Sequence, residues 1–190
     1  MFARCSSRAR AVRKPVVPFS AQEYTRLRQQ GIQALVQDHH YDRSSLIEQE
    51  IRWGNTDAFQ HVNNVRTFEF FESGRINFIQ SLLPDLPEGS EQSLVQGKPG
   101  GQVGGVILSD IHARYKRPVT FPDTLLVGHK VLSISKDRFT LDCVCWSLKQ
   151  QKIVTTGEAV MVCYDYGKLR RMDMPEILRA ALEKRKSTCS

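Results

Sequence analysis

Between Ile51 and Arg75 the chain reads IRWGNTDAFQHVNNVRTFEFFESGR. A strand-like start runs into a short polar loop, and a helix of apolar period follows at once. Asn63 and Asn64 are both good helix caps. From Asn64 onward Val65, Phe68, Phe71, Phe78, Ile79, Leu82 and Leu83 recur every three to four residues, which predicts a helix. Phe70 and Ile76 widen the apolar stripe, as expected for a helix covered on several sides. Pro84 predicts its end.

The loop ahead of this helix carries Asp57 and His61. A helix N-terminus presents unpaired backbone N–H groups and a partial positive charge. A carbonyl placed there is polarised, and the oxyanion formed on attack is stabilised. Asp57 is then the candidate general base on water, or the nucleophile itself. His61, four residues on, is the candidate for orienting water, donating to the substrate or steering the carboxylate. Taken singly, Asp57 reads as the side chain of an Asx turn and His61 as a solvated loop residue. The whole string reads otherwise.

The string Arg52, Trp53, Asn55, Thr56, Asp57, His61, Val62, Asn63, Asn64, followed by Phe68, Phe70, Phe71, Glu72 and Arg75, resembles the acyl-thioesterase branch of the hot-dog fold superfamily, the 4-hydroxybenzoyl-CoA thioesterase-like family. Weaker similarity continues through Tyr115, Pro118 and Asp123 and spans about Ile47 to Asp165. The resemblance implies an α+β hot-dog fold, a curved antiparallel sheet wrapped around a central helix. It places the catalytic carboxylate on Asp57 and the carbonyl-polarising backbone N–H on Asn64. It implies an acyl-CoA or other acyl thioester substrate, no metal or redox cofactor, and a homodimer or homotetramer. Lys116 and Arg117 stand where basic residues near the pocket mouth meet coenzyme A phosphates in relatives; a solvated strand end is the plain alternative. Plant acyl-carrier-protein thioesterases share the histidine of this motif, here His61, but their catalytic asparagine is Phe59 in this chain, so their full set of roles does not transfer. Asn55 stands where many relatives have Asp, a change expected to touch local hydrogen bonding rather than chemistry. Glu72 and Arg75 are expected to pair along the helix; some relatives hold a carboxylate near position 72 by the site.

Other chemistry finds no support in the sequence. There is no G-x-S-x-G elbow, no H-E-x-x-H and no phosphate-binding loop, since Lys98 is followed by Pro99. His39-His40 has no obvious metal-ligand set around it and reads as a solvated pair. No apolar run reaches the ~18 residues of a membrane-spanning helix. The formal net charge is +7, but Arg4, Arg8, Arg10, Arg13 and Lys14, with no acid before Glu23, account for all but +2 of it. A nucleic-acid binder would carry its cations on the folded domain. The Arg-rich, Ser-containing, acid-free stretch 1–19 instead has the composition of a mitochondrial transit peptide, the alternative being a basic tail on a cytoplasmic protein. Five cysteines, Cys5, Cys143, Cys145, Cys163 and Cys189, fit neither a disulfide framework nor a zinc motif. Cys143 and Cys145 are expected on one strand face as small apolar groups.

Four segments are expected: the basic stretch 1–19, a helical extension 20–45, the thioesterase domain 46–168, and a charged C-terminal helix and tail 169–190. Ser20 to Gln37 predicts a helix, with Ser20 and Glu23 as a capping box. Ile47–Trp53 predicts a strand. Pro84–Gln102 is a Pro- and Gly-rich loop, a flexible connection or a lid. Gly104 and Gly105 begin a strand in which a ligand or backbone comes close. Val103–Lys116, Thr124–Ser133, Phe139–Leu148 and Ile153–Tyr164 predict four strands in antiparallel hairpins. The readings that compete with a thioesterase are a hot-dog dehydratase or hydratase, whose paired carboxylate and His motif is missing, and an inactive hot-dog binding or assembly module of a mitochondrial complex.

Overall fold

The computed structural model describes residues 19–99 and 102–188. The basic stretch 1–18, Gly100, Gly101, and the last two residues lie outside the described residues. In chain order the elements are α1 (Ala21–Gln33), β1 (Ile47–Ile51), α2 (Asn64–Ser81), α3 (Ser90–Leu94), β2 (Gly105–Tyr115), β3 (Asp123–Ile134), β4 (Arg138–Ser147), β5 (Lys152–Asp165), β6 (Arg170–Arg171) and α4 (Glu176–Thr188). All strand pairs are antiparallel and run in the order β1-β3-β4-β5-β2, with β6 on β5. The sheet curls around α2, the α+β arrangement that the sequence implies.

The strands fall close to the expected limits, but their pairing corrects one expectation. β3–β4 and β4–β5 are hairpins, whereas β2 crosses over to pair with β5 rather than with β3. The Phe121-Pro122 peptide, in the connection from β2 to β3, is cis. Pro84 does not end α2 directly; the helix closes at Leu82, and Pro84 sits in a following tight turn, Leu83–Asp85. The loop expected over 84–102 holds the short helix α3. The two-residue strand β6 lies where a purely helical C-terminus is expected.

Phe70, Phe71, Phe78, Ile79 and Leu82 of α2 fill the concave face of the sheet against Val127, Val131, Phe139, Leu141, Cys143, Cys145, Ala159, Met161 and Cys163. Leu178 and Leu182 of α4 close the same core. Burying each such side chain stabilises the fold by about 1.5–3 kcal/mol. Cys143 and Cys145 are buried in this core as expected, and burial pushes their thiols up from the ordinary range. The Glu72–Arg75 pair is not formed among the described residues: Glu72 is exposed, Arg75 is buried, and its Nη1 has no hydrogen-bond partner. The ion pair on this helix is Arg66–Glu69, at 2.7 Å.

The convex face carries a second core. Ser20 caps α1, its hydroxyl accepting from the Glu23 N–H at 3.2 Å. The helix continues into a wider turn over Ala34–Asp38, closed by His39 N–H donating to the Ala34 carbonyl. This extension lays Leu35 and Tyr41 over Leu126, Val144, Trp146 and Leu148, with Phe19, Tyr24 and Ile32 at the margin. Gly31 makes the contact close: a Cβ there would lie 2.8 Å from the Trp146 indole nitrogen. Tyr24 and Arg28 both hydrogen-bond Glu48 of β1. Because β3 and β4 are covered on both sides, their residues are buried almost without alternation.

Candidate active site

The loop between β1 and α2 is pinned at each step. Asn55 Oδ1 accepts from Arg52 N–H at 2.7 Å, and the Asn55 carbonyl accepts from Asn63 N–H at 2.9 Å. An Asp at 55 would accept the first bond equally well, so the exchange leaves the loop's geometry in place. Thr56 and Val62 form an isolated antiparallel bridge. Asp57 N–H donates to the His61 carbonyl at 2.9 Å, and Gln60 takes the left-handed conformation that lets the loop reverse. Val62 N–H donates to the Val119 carbonyl at 2.8 Å, fastening the loop to the segment before β3.

This scaffolding sets the start of α2. Asn63 is the N-cap, its Oδ1 accepting from Val65 N–H at 3.0 Å, and its carbonyl accepts from Arg66 N–H at 2.9 Å. The Asn64 N–H takes no acceptor among the described residues. Its carbonyl accepts from the Tyr115 hydroxyl at 2.8 Å, which ties the end of β2 to the first turn of the helix. Burial first of all raises the Tyr115 phenol, and its hydrogen bond with Thr67 works the other way.

Asn64 opens onto a cleft of about 290 Å³ lined by His61, Val62, Thr67, Phe70, Tyr115, Lys116, Arg117, Val119, Leu125, Cys145 and Thr155, among others. The structure therefore brings together His61, Asn64, Lys116 and Arg117. It does not bring Asp57 to the wall of this cleft. The Asp57 Oδ1 accepts from Phe59 N–H at 2.9 Å, an Asx turn within its own loop, with Phe59 79% exposed beside it. Thr67, Tyr115 and Thr155 are cleft residues that sequence reasoning missed. Thr67 had a signal, one helical turn beyond Asn64 on the same face; Tyr115 and Thr155 become visible only when β2 is known to pair with β5.

Gly104 and Gly105 are explained without a ligand. Gly104 has φ +61°, and a Cβ on Gly105 would lie 2.1 Å from the Tyr166 ring, so a side chain takes the space. Among the described residues no helix is long and apolar enough to cross a membrane. Among them, no three His, Cys, Asp or Glu side chains are grouped as metal ligands.

A helix-start N–H without an acceptor among the described residues thus stands on a cleft of mixed polar and apolar lining, in a sheet curled around that helix. The model of the Thioesterase-like superfamily matches residues 51–182, and the chain belongs to that superfamily. No curated protein matches the chain significantly. Solved structures share its fold. A thioesterase superfamily protein from Jannaschia superposes with a TM-score of 0.61 at 21% identity over 75% of this chain and 82% of that one. The DHNA-CoA thioesterase of Staphylococcus aureus gives 0.60 at 17% identity over 75% and 90%. A Thermus thermophilus thioesterase, solved with coenzyme A and Zn, gives 0.57 at 19% identity over 72% and 95%.

Proposed function

We propose that the chain is an acyl-CoA thioesterase. Water adds to the thioester carbonyl, the carbon–sulfur bond breaks, and a carboxylic acid and a free thiol leave, the sulfur taking the proton. The observation that carries the reading is the acceptor-free Asn64 N–H at the mouth of the cleft. That N–H and the dipole of the 18-residue helix behind it hold the oxyanion. His61, on the cleft wall, orients the water or donates to the substrate. Asp57 acts as base or nucleophile once its side chain turns from its Asx bond toward the cleft, a rotation opposed by one hydrogen bond of about 1 kcal/mol. Lys116 and Arg117 at the rim meet the phosphates of the carrier.

We further propose that two copies complete the site. Trp53, Phe59 and Val65, all near the start of α2 in sequence, are 73%, 79% and 65% exposed, large apolar side chains of the kind that a second copy covers. The outer edge of β2 has no partner strand among the described residues, so eleven residues of ladder stand open. Sedimentation at micromolar concentration is expected to give a dimer or tetramer. The Arg-rich stretch 1–18, outside the described residues, we propose as a mitochondrial address.

One observation favours the inactive-module reading: the Asp57 side chain is engaged by its own loop and stands off the cleft. Release of free thiol from a panel of acyl-CoAs separates the two and yields the preferred chain length. Turnover of at least one acyl-CoA is the expected result; none across the panel leaves the module reading in place.

A further inference from the structure

Lys116 and Arg117 line two cavities, not one. Beyond them, on the convex side of the sheet, a second cavity of about 380 Å³ is formed by His39 at the end of the extension and by Trp146, Lys152 and Ile153 of the β4–β5 hairpin. The backbone that carries the two residues is fastened to β5, since the main-chain N–H groups of Lys116 and Arg117 both donate to the Val154 carbonyl, at 2.8 and 3.1 Å. The extension is fixed as well: Gln151, also on the cavity wall, donates from its side-chain amide to the carbonyls of Leu27 and Leu148.

The lining has a definite chemistry. Three exposed cations, Lys116, Arg117 and Lys152, border it, and no carboxylate does. None of the three is in an ion pair among the described residues. The floor is aromatic and apolar, with the His39 and Trp146 rings 6.3 Å apart at 55° and Ile153 alongside. Inorganic phosphate would use the cations and leave the aromatic floor idle. An apolar ligand would leave three cations unanswered. A flat heteroaromatic ring bearing several phosphates answers both. An extended nucleic acid finds no continuous basic track, because Asp142 and Glu158 line the next depression on the same face.

We propose that this convex-face cavity binds the phosphorylated nucleoside end of the thioester's carrier, with the bridging phosphates crossing at Lys116–Arg117 and the acyl thioester descending into the cleft. The inference rests on the thioesterase reading and deepens it, because it selects a nucleotide-bearing thiol such as coenzyme A over a protein-borne one. The His39 wall comes from the chain's own extension, outside the residues 51–182 shared with the superfamily.

Two measurements on the full chain test it. The first is calorimetric titration with adenosine 3′,5′-bisphosphate. The second is kcat/KM for an acyl-CoA against the same acyl group on pantetheine. The bisphosphate is expected to bind and to compete with acyl-CoA. Lys152→Ala combined with His39→Ala should weaken it about tenfold and lower the CoA-over-pantetheine preference by about the same factor, as the loss of a charge-assisted phosphate contact predicts. Lys152→Glu should do more, and Lys136→Ala, on the exposed turn before β4, should leave the preference as it is. Hydrolysis of both thioesters with equal kcat/KM would overturn the cavity's role and leave the hydrolase standing. Bisphosphate binding that depends on Lys152, with no thioester hydrolysed, would sustain the nucleotide site and remove the hydrolase. Binding of an RNA oligonucleotide but not of the bisphosphate would overturn the proposal.

Discussion

Asn64 is held from its carbonyl side and free on its amide side, and that asymmetry is the core of the site. Tyr115 fixes the carbonyl, Asn63 satisfies the next N–H along, and the Asn64 N–H has no acceptor among the described residues, the group we propose for the oxyanion. His61 shares the cleft, so His61→Ala is expected to lower kcat/KM. The loss should be smaller than that from removing the Asp57 carboxylate, because Phe59 replaces the asparagine that would complete a carrier-protein-type site. Equal losses from the two changes, measured as thiol release, would mean that they act as one unit. Asp123 has a different task. It is 1% exposed, and its carboxylate accepts from Thr124 N–H, Lys149 N–H and the Ser147 hydroxyl. Asp123→Ala strands those donors and should cost about 3 kcal/mol in denaturant unfolding; a change within about 0.5 kcal/mol would show that water replaces the carboxylate. At this scale the sequence showed which residue types gather but not where each side chain turns. The motif names Asp57, yet its orientation depends on a single Asx bond that competes with the site.

At the scale of elements, helix α2 and the four long strands were legible because their apolar periods are strong and their turns polar. The partner of β2 was not, because the same alternation serves any neighbour. The second core was also hidden. The apolar face of the extension is ragged in sequence, and only with Trp146 and Leu35 in contact range does it become a surface. This moves a boundary. Phe19, expected in the basic stretch 1–19, packs on that core, so the proposed address is cut back to 1–18. Deleting residues 1–18 should leave the melting temperature unchanged. Deleting 1–41 should expose Leu126, Val144 and Leu148 and lower stability by about 3 kcal/mol or more. If the longer deletion melted with the shorter one, the extension would not be part of the folded unit.

Across the whole molecule, one buried group sets an acid response. His129 is fully buried beneath α2, where Gly74 leaves room for it: a Cβ at 74 would stand 2.6 Å from the imidazole. Neither ring nitrogen has a hydrogen-bond partner. Burial, with the nearby Arg75 guanidinium adding to it, lowers its pKa to about 3. The folded chain thus keeps His129 neutral while the unfolded chain protonates it near 6.5. The stability this provides is present above about pH 6.5 and is lost as pH falls toward 3, with a slope of about 1.4 kcal/mol per pH unit from one proton. His129→Leu should flatten the pH 4–6 part of the stability curve; an unchanged slope would assign the acid response to other groups. Location is a separate property of the chain: a tagged protein lacking residues 1–18 is expected to move from mitochondria to cytosol, and cytosolic full-length protein would refute the targeting proposal without touching the chemistry. The central claim meets its most direct test in Asp57→Asn, which keeps the shape and the Asx bond but removes the base. Measured as free thiol released from the best acyl-CoA, the variant is expected to lose roughly 10²–10⁴ of the wild-type rate while melting at the same temperature; near-normal turnover would contradict the account.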